Sequence, residues 1–424
     1  MELSNQKYNS PRISGEILDC SMPMTFDQYN NCGHNCLYCF STFQRGIGNA
    51  SDEYWKREKI KAVNPKTFMK LFEKDHESQF KYILEHRKPM QWGGLSDPFC
   101  PIEEKFGIGL EILQFLSELK YPCSFSSKGD LLLKDKRYFD AFVNNKENFH
   151  YKCSIITYDE EIAKRLEAGV PTPKRRFEVL TALSKAGIRT TLRMRPFIIG
   201  ITDKTAIEML REAKKAGCES VSTEFFCLEM RANEQTRRKY DAMSKLCGFD
   251  IYEYYRKMSP KQSGYLRLNY KLKEKYLRPI KEECERLGLR LHVSDAHHKE
   301  LSCTGSCCGL PDDGSALSNY QKSQFTNAIV IARKNGTVKF SDMEGEFDWL
   351  KSFKLTKAIG MNMGTSHNAI KKKDLTMFDF MRNCWNNPKS AKSPYRYFGG
   401  ALTPIDTDEN GDLIYKYTGI WETK

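Results

Sequence analysis

Between about residues 22 and 230, strand-length apolar runs alternate with longer amphipathic stretches, and this alternation constrains the fold more than any other feature. The runs fall at residues 24–29, 90–93, 123–127, 151–157, 190–199 and 220–226. Helical periodicity fills stretches between them at 105–119, 173–186 and 204–216, with Gly187 and Gly217 as stop signals for the last two. Strands that alternate with helices pair in parallel through right-handed crossovers, because a parallel neighbour cannot be reached by a tight turn. Six such units predict an α/β fold built on a partial (β/α)6, TIM-like barrel.

The character changes after Phe226. Helical segments at 233–255 and 270–287 lead to one more strand at 290–294, which can extend or close the sheet. A Gly, Ser and Cys loop at 303–309 and the turn Pro311-Asp-Asp-Gly314 follow. A chain of 424 residues exceeds what one core usually serves. The expected division is therefore 1–300, with its barrel core at about 22–230, and a smaller α+β domain at 301–424. Asn335-Gly336, between apolar runs at 328–332 and 338–340, predicts one hairpin, and Asn410-Gly411 predicts another.

No run approaches the roughly 18 uninterrupted apolar residues of a membrane span, and the N-terminus lacks an export pattern. A cytoplasmic protein without a membrane partner is expected. Fifteen cysteines, an odd number, then argue for free thiols and metal ligands in a reducing compartment. A formal charge of +13 makes a polyanion such as nucleic acid a candidate partner.

Just after the first strand comes Asn31-Cys-Gly-His-Asn-Cys-Leu-Tyr-Cys-Phe40. Thiolates at Cys32, Cys36 and Cys39 can hold three irons of a 4Fe-4S cubane and leave the fourth open to an exogenous ligand. The amino and carboxylate groups of S-adenosylmethionine (SAM) can chelate that iron. The alternative is a zinc site completed by His34 or a distant ligand. In its spacing and its place after the first strand, the loop resembles the radical SAM superfamily, which implies reductive cleavage of SAM to a 5′-deoxyadenosyl radical. It implies too a cellular electron donor such as flavodoxin or ferredoxin.

A closer resemblance rests on Gly93-Gly-Leu-Ser-Asp-Pro-Phe-Cys-Pro-Ile-Glu103, Ser126-Ser-Lys-Gly-Asp130 and Leu166-Glu-Ala-Gly-Val-Pro-Thr-Pro-Lys-Arg-Arg176. These are similar to spore photoproduct lyase and its "DNA repair photolyase"-like relatives over residues 22 to about 225. The resemblance implies that Gly93 and Gly94 admit the SAM amine to backbone carbonyls, that Ser96 and Lys128 contact SAM, and that Tyr38 lies near its adenine. It also implies a nucleic acid substrate. Two departures withdraw thymine dimer reversal by that family's route: Gly94 stands where its hydrogen-donor cysteine is expected, and Phe40 where its tyrosine is. Cys100 is one candidate replacement donor.

Cys303, Cys307 and Cys308 form a second group with four readings: an auxiliary cluster completed by Asp295, His297, His298 or a remote thiol, a hydrogen-donating or redox thiol pair, a zinc site, or no chemistry. Arg193 and Arg195 share one strand face, where they would hold a cofactor carboxylate or substrate phosphate, or else pair with Glu167 or Glu224. Residues 252–281 carry nine Lys or Arg, two Glu and six Tyr, which suits nucleic acid stacking or a tyrosine-anchored, solvated helix pair. Lys371-Lys-Lys373 reads as a solvated run. Asp406–Asp412 imitates a calcium loop, but Tyr417 replaces the glutamate required at its twelfth place, so a hairpin turn is expected.

The functional expectation is a radical SAM enzyme acting on nucleic acid, in modification or repair. Action on a peptide or small metabolite is the alternative. A non-catalytic iron–sulfur or zinc protein that binds nucleic acid is the reading from another class.

Overall fold

A computed structural model describes residues 2–41, 59–260, 264–355 and 375–421. Its main sheet contains β1 (Arg12–Ile13), β2 (Met24–Phe26), β3 (Met90–Trp92), β4 (Cys123–Ser127), β5 (Phe149–Ser154), β6 (Arg189–Phe197), β7 (Ser220–Phe225) and β8 (Arg290–Val293). They lie in the spatial order β8-β7-β6-β5-β4-β3-β2-β1, so chain order and sheet order coincide and the sheet stays open. Strands β4 to β7 pair in parallel, and β1 pairs antiparallel with β2. All six strands expected between residues 22 and 230 are present, as is the added strand at its far end.

The connecting helices include α1 (Pro101–Phe106), α2 (Ile108–Glu118), α3 (Lys136–Asn144), α4 (Glu160–Leu166), α5 (Pro173–Lys185), α6 (Thr202–Lys215), α7 (Glu234–Cys247), α8 (Ile251–Met258) and α9 (Tyr270–Leu287). The single helix expected at 105–119 is two, because Gly107 adopts a φ of +65° and separates α1 from α2. Gly187 and Gly217, at φ of +84° and +82°, follow α5 and α6 as expected.

The two faces of the sheet differ chemically. Phe125 packs on Phe142 of α3 with ring centres 4.7 Å apart, and the Cys153 thiol faces the Arg176 carbonyl of α5. This is the apolar, helix-covered face. The other carries Ser124, His150, Thr191 and Ser220, joined across four strands by side-chain hydrogen bonds of 2.9, 2.7 and 2.7 Å. All four are buried, and the chain of partners satisfies groups that would otherwise be costly to remove from water.

Two compact units are distinguished. The first comprises Met1–Pro11, Phe26–Glu73 and Gln91–Leu291; the second comprises Arg12–Thr25, Lys74–Met90 and His292–Lys424. In the second unit, α10 (Phe325–Asn335) precedes a three-stranded sheet of β9 (Thr337–Val338), β10 (Leu402–Thr407) and β11 (Leu413–Tyr417), in the order β9-β11-β10, with α11 (Met377–Trp385) between β9 and β10. Lys88 there forms a buried ion pair with Glu346 at 2.5 Å.

Here one expectation is corrected. The run Ala328-Ile-Val-Ile-Ala332 lies inside α10, and Asn335-Gly336 ends that helix, with Gly336 at φ +81°. An Asn-Gly pair suits a helix C-terminus as well as a hairpin, and Phe325, Ala328, Ile329 and Ala332 recur at helical spacing as the buried face. The second signal holds: Asn410-Gly411 lies in the turn between β10 and β11, so the calcium-like sequence is a hairpin turn. Lys371–Lys373 lies outside the described residues. No helix among the described residues is long and apolar enough to cross a membrane.

Candidate metal centre

Beyond β2 the chain enters the cysteine loop, whose shape is set by its own polar groups. The Asn31 side-chain oxygen accepts the N–H groups of Cys32 and Gly33 at 2.7 and 3.1 Å, and the Cys39 N–H returns to the Cys36 carbonyl at 3.2 Å. Gly33 and Asn35 take positive φ values of 74° and 50°, which such a tight turn requires. The loop is fastened to the end of α4 and the segment following it: Leu37 N–H donates to the Leu166 carbonyl at 3.0 Å and Gly169 N–H to that of His34 at 3.1 Å. A Cβ on Gly169 would stand 2.9 Å from the His34 carbonyl oxygen, so this approach needs glycine.

Cys32, Cys36 and Cys39 are free thiols, as are the other cysteines. Burial pushes the Cys32 thiol up to about 12, with Cys39 adding to the shift; burial also raises Cys36 well above its usual range against the pull of Lys128. A bound iron reverses this preference, since coordinating thiols lose their protons. Three soft donors on one short loop beside a cation fit an iron–sulfur cluster. Among the described residues no three His, Cys, Asp or Glu side chains are gathered closely enough to hold a metal ion as they stand.

His34 is no ligand in this arrangement. Its Nδ1 is 2.9 Å from the Gly169 carbonyl oxygen and its Nε2 is 3.2 Å from an Asp97 carboxylate oxygen. Asp97 also accepts from the Phe99 N–H, the Ser127 hydroxyl and the Lys128 N–H at 2.9, 2.7 and 2.6 Å. Burial alone would raise the Asp97 carboxyl, but His34 and these donors outweigh it and hold it below its ordinary value. Asp97 thereby joins the Gly93–Pro98 turn, the end of β4 and the cysteine loop.

The other expected residues fall around the same point. Gly93 has φ +94°, and a Cβ there would stand 2.4 Å from the Ser126 carbonyl oxygen. Gly94 follows it in the same turn. The Asp27 carboxylate accepts the Leu95 and Ser96 N–H groups, both at 2.8 Å, while the Ser96 hydroxyl donates to the Tyr29 carbonyl at 3.0 Å. Lys128 places its ammonium 5.7 Å from the Tyr38 ring centre. Burial would lower that ammonium's pKa, but Cys36, Glu167 and Asp97 raise it overall. The Tyr38 hydroxyl donates to Glu167, which pairs with Arg176 at 2.7 Å in a fully buried contact.

For the two strand arginines, the ion-pair reading holds at Arg195, whose guanidinium meets Glu224 at 3.0 and 2.5 Å. Arg193 donates to the Ser154 hydroxyl at 3.2 Å. Lys152, unmarked in the sequence reading, donates to Gln91 at 2.5 Å and is buried on the polar face. A charged residue inside an expected buried strand was the signal that could have found it. Cys100 is fully buried at the start of α1, among Tyr29, Ile60 and Ile102, with Cys32 packed against that cluster.

The second cysteine group belongs to the second unit. Cys303 is exposed, the Cys307 sulfur lies 3.6 Å from the Ser294 hydroxyl, and Cys308 packs on Met22, Leu310, Leu317 and Tyr320. His298 Nδ1 sits 3.3 Å from the Trp421 indole nitrogen. The basic segment is a tyrosine-anchored helix pair: Tyr255 is buried, Tyr252 donates to the Met230 carbonyl at 2.7 Å beneath Arg237, and Tyr276 packs near Phe197 and Phe225. Of its six tyrosines only Tyr270 is a large exposed ring, so this segment does not present a stacking platform.

Residues 28–213 match the model of the radical SAM superfamily. An uncharacterized protein of Mycobacterium tuberculosis (strain ATCC 25618 / H37Rv) is 24% identical over 213 residues, 49% of this chain and 59% of that protein. An uncharacterized protein of Methanocaldococcus jannaschii is 23% identical over 177 residues, 42% of this chain and 61% of the relative. The chain thus spans about three fifths of the curated relatives it matches. Among solved structures, a cysteine-to-serine mutant of spore photoproduct lyase aligns with a TM-score of 0.52 and 13% identity, covering 68% of this chain and 81% of that one. The likeness is one of fold.

Proposed function

We propose that the chain, whose residues 28–213 match the model of the radical SAM superfamily, is an enzyme of that class, that Cys32, Cys36 and Cys39 hold its 4Fe-4S cluster and that the substrate is a nucleic acid. The observation that carries the reading is the buried Asp97, to which the loop bearing the three cysteines, the Gly93–Pro98 turn and the Lys128 backbone all converge. When bound, the cluster and SAM supply a one-electron cleavage that yields a 5′-deoxyadenosyl radical.

The chain's own residues bind and orient. Lys128 offers its ammonium to the SAM carboxylate, a charge-assisted contact suited to a buried site. Gly93 and Gly94 leave backbone carbonyls open to the SAM amine, and Tyr38, fixed by Glu167, forms a flat wall for the adenine. Ser96, anchored through Asp27 and Tyr29, keeps the turn in register. On the polar sheet face, Arg193 and Lys152 favour an anionic substrate, and Arg195 with Glu224 borders them. The net charge of +13 and the resemblance to photoproduct lyase support nucleic acid as that anion.

Anaerobically reconstituted protein treated with dithionite and SAM is expected to release 5′-deoxyadenosine; fully loaded protein that never does so overturns the enzyme assignment of these cysteines. Binding of single-stranded and duplex DNA across a salt series tests the substrate. Affinity should fall steeply as salt rises, and no binding even at low salt removes nucleic acid.

A further inference from the structure

Leu37, in the turn between Cys36 and Cys39, lines an open groove of about 270 Å³ in the first unit. Ala242 and Leu246 of α7 complete its apolar floor; Arg165, Arg238 and Lys245 form a cationic rim, with Asp241 the only acid lining it among the described residues. The rim is tied to the cysteine loop by backbone, because Arg165 lies in the last turn of α4 beside Leu166, whose carbonyl accepts the Leu37 N–H. Arg238 and Lys245 stand seven residues, or two turns, apart on one face of α7. Arg238 is paired with Glu234 at 2.6 Å, while Arg165 and Lys245 make no ion pair among the described residues.

We propose that this groove docks an acidic one-electron carrier protein, which reduces the cluster through the turn that holds Leu37. The inference rests on the assignment of Cys32, Cys36 and Cys39 to a 4Fe-4S cluster. The carrier loses one electron, the cluster gains it and passes from its 2+ to its 1+ state, and no proton or group moves with it. Brief redox encounters use small interfaces in which opposite charge steers approach and a modest apolar contact fixes the pose. A cationic rim around an apolar floor, whose Leu37 lies one residue from Cys36 and two from Cys39, has that composition. A nucleic acid backbone instead calls for a longer track of cations with aromatic faces, which the groove lacks.

Reconstituted protein and its Arg165→Glu/Lys245→Glu variant would be mixed anaerobically with reduced flavodoxin or, separately, with dithionite, and loss of the cluster's visible absorbance followed over a salt series. Binding of oxidised flavodoxin to each protein would be titrated in parallel. Flavodoxin should reduce the unsubstituted protein with a rate that falls as salt rises, and the variant about tenfold or more slower with little salt dependence and weakened binding. Dithionite should reduce both alike. Equal flavodoxin rates in the two proteins, or no salt-sensitive reduction of either, overturn the docking site. Loss of a labelled oligonucleotide's binding with flavodoxin reduction intact assigns the groove to nucleic acid and equally overturns it. Failure of dithionite to produce any cluster change in iron-loaded protein would instead count against the cluster assignment itself.

Discussion

The imidazole of His34 lies with Nε2 3.2 Å from the Asp97 carboxylate, and with Nδ1 2.9 Å from the Gly169 carbonyl oxygen. One buried ring therefore connects the cysteine loop to the Gly93–Pro98 turn and to the segment after α4, elements 63 and 135 residues away along the chain. The three cysteines sit on a loop that carries little secondary structure of its own, so its shape depends on such ties.

Replacing Asp97 by Ala should be among the most damaging single changes near the site. It orphans the Phe99 and Lys128 N–H groups and the Ser127 hydroxyl, and leaves His34 facing an apolar methyl. Loss of about 3 kcal/mol of stability is expected, together with lower iron retention after reconstitution. His34→Ala should lose less stability but a similar share of iron. Denaturant midpoints and iron per chain measure the two effects, and an Asp97→Ala protein that keeps both refutes the tie.

Lys128→Met keeps the length of the side chain and removes its charge. SAM affinity should fall by about tenfold or more, the worth of a charge-assisted hydrogen bond in a buried site, while iron content stays unchanged. Equilibrium binding of SAM to reconstituted protein reads the difference. Unaltered affinity would place the SAM carboxylate elsewhere.

Gly93→Ala should destabilise the protein by about 2 kcal/mol, because the new Cβ meets the Ser126 carbonyl oxygen at 2.4 Å and Pro98 Cδ at 2.9 Å at a positive φ. Both obstacles belong to stiff parts of the chain, so relaxation is limited. Thermal unfolding compared with the same change at Gly107, where a Cβ has open space, separates the clash from the cost of positive φ alone.

Iron analysis should give about four irons per chain, and the triple variant Cys303→Ser/Cys307→Ser/Cys308→Ser should leave that number unchanged. The three thiols enter different surroundings: Cys303 is exposed, Cys307 faces Ser294, and Cys308 packs on an apolar cluster. About eight irons, falling to four in the triple variant, would establish the auxiliary cluster instead.

Local signals and long-range pairings account for what could be read in advance. Strands β2 to β7 were legible because buried parallel strands are short apolar runs, and each was found within a few residues of its expected ends. The helix α10 was misread because Ala328-Ile-Val-Ile-Ala332 is rich in β-branched residues, and tertiary packing overrode that preference. Nothing local tells that Arg12–Thr25 and Lys74–Met90 group with the C-terminal region, since that grouping rests on contacts such as Asp19 with Lys299. At the site, the spacing of Cys32, Cys36 and Cys39 was visible, whereas Glu167 with Arg176 and Gln91 with Lys152 are buried pairings that only the fold reveals. Asp97 stood beside Ser96 in a motif already singled out, yet its role depends on His34 and Ser127, which the sequence leaves far apart.

The last expectation concerns acid stability. Glu283 on α9 accepts hydrogen bonds from Arg286 at 2.7 and 2.6 Å and from Arg211 of α6 at 2.8 Å. Arg286, then Arg211, lower its carboxyl from the ordinary 4.5 to about 2. A carboxyl whose folded pKa is depressed binds protons more readily when the chain is unfolded. Its contribution to stability is therefore complete above about pH 4.5 and is lost as pH falls toward 2. Glu283→Gln removes the charge at every pH, so the variant should be less stable than the parent at neutral pH, with a gap that narrows steadily below pH 4.5. Both arginines are more than half exposed, so the gap should also shrink in high salt. Urea midpoints followed from pH 7 to 3, at low and high salt, give the comparison. Parallel pH profiles for the two proteins would mean that the pair of arginines does not hold this carboxylate in the folded chain.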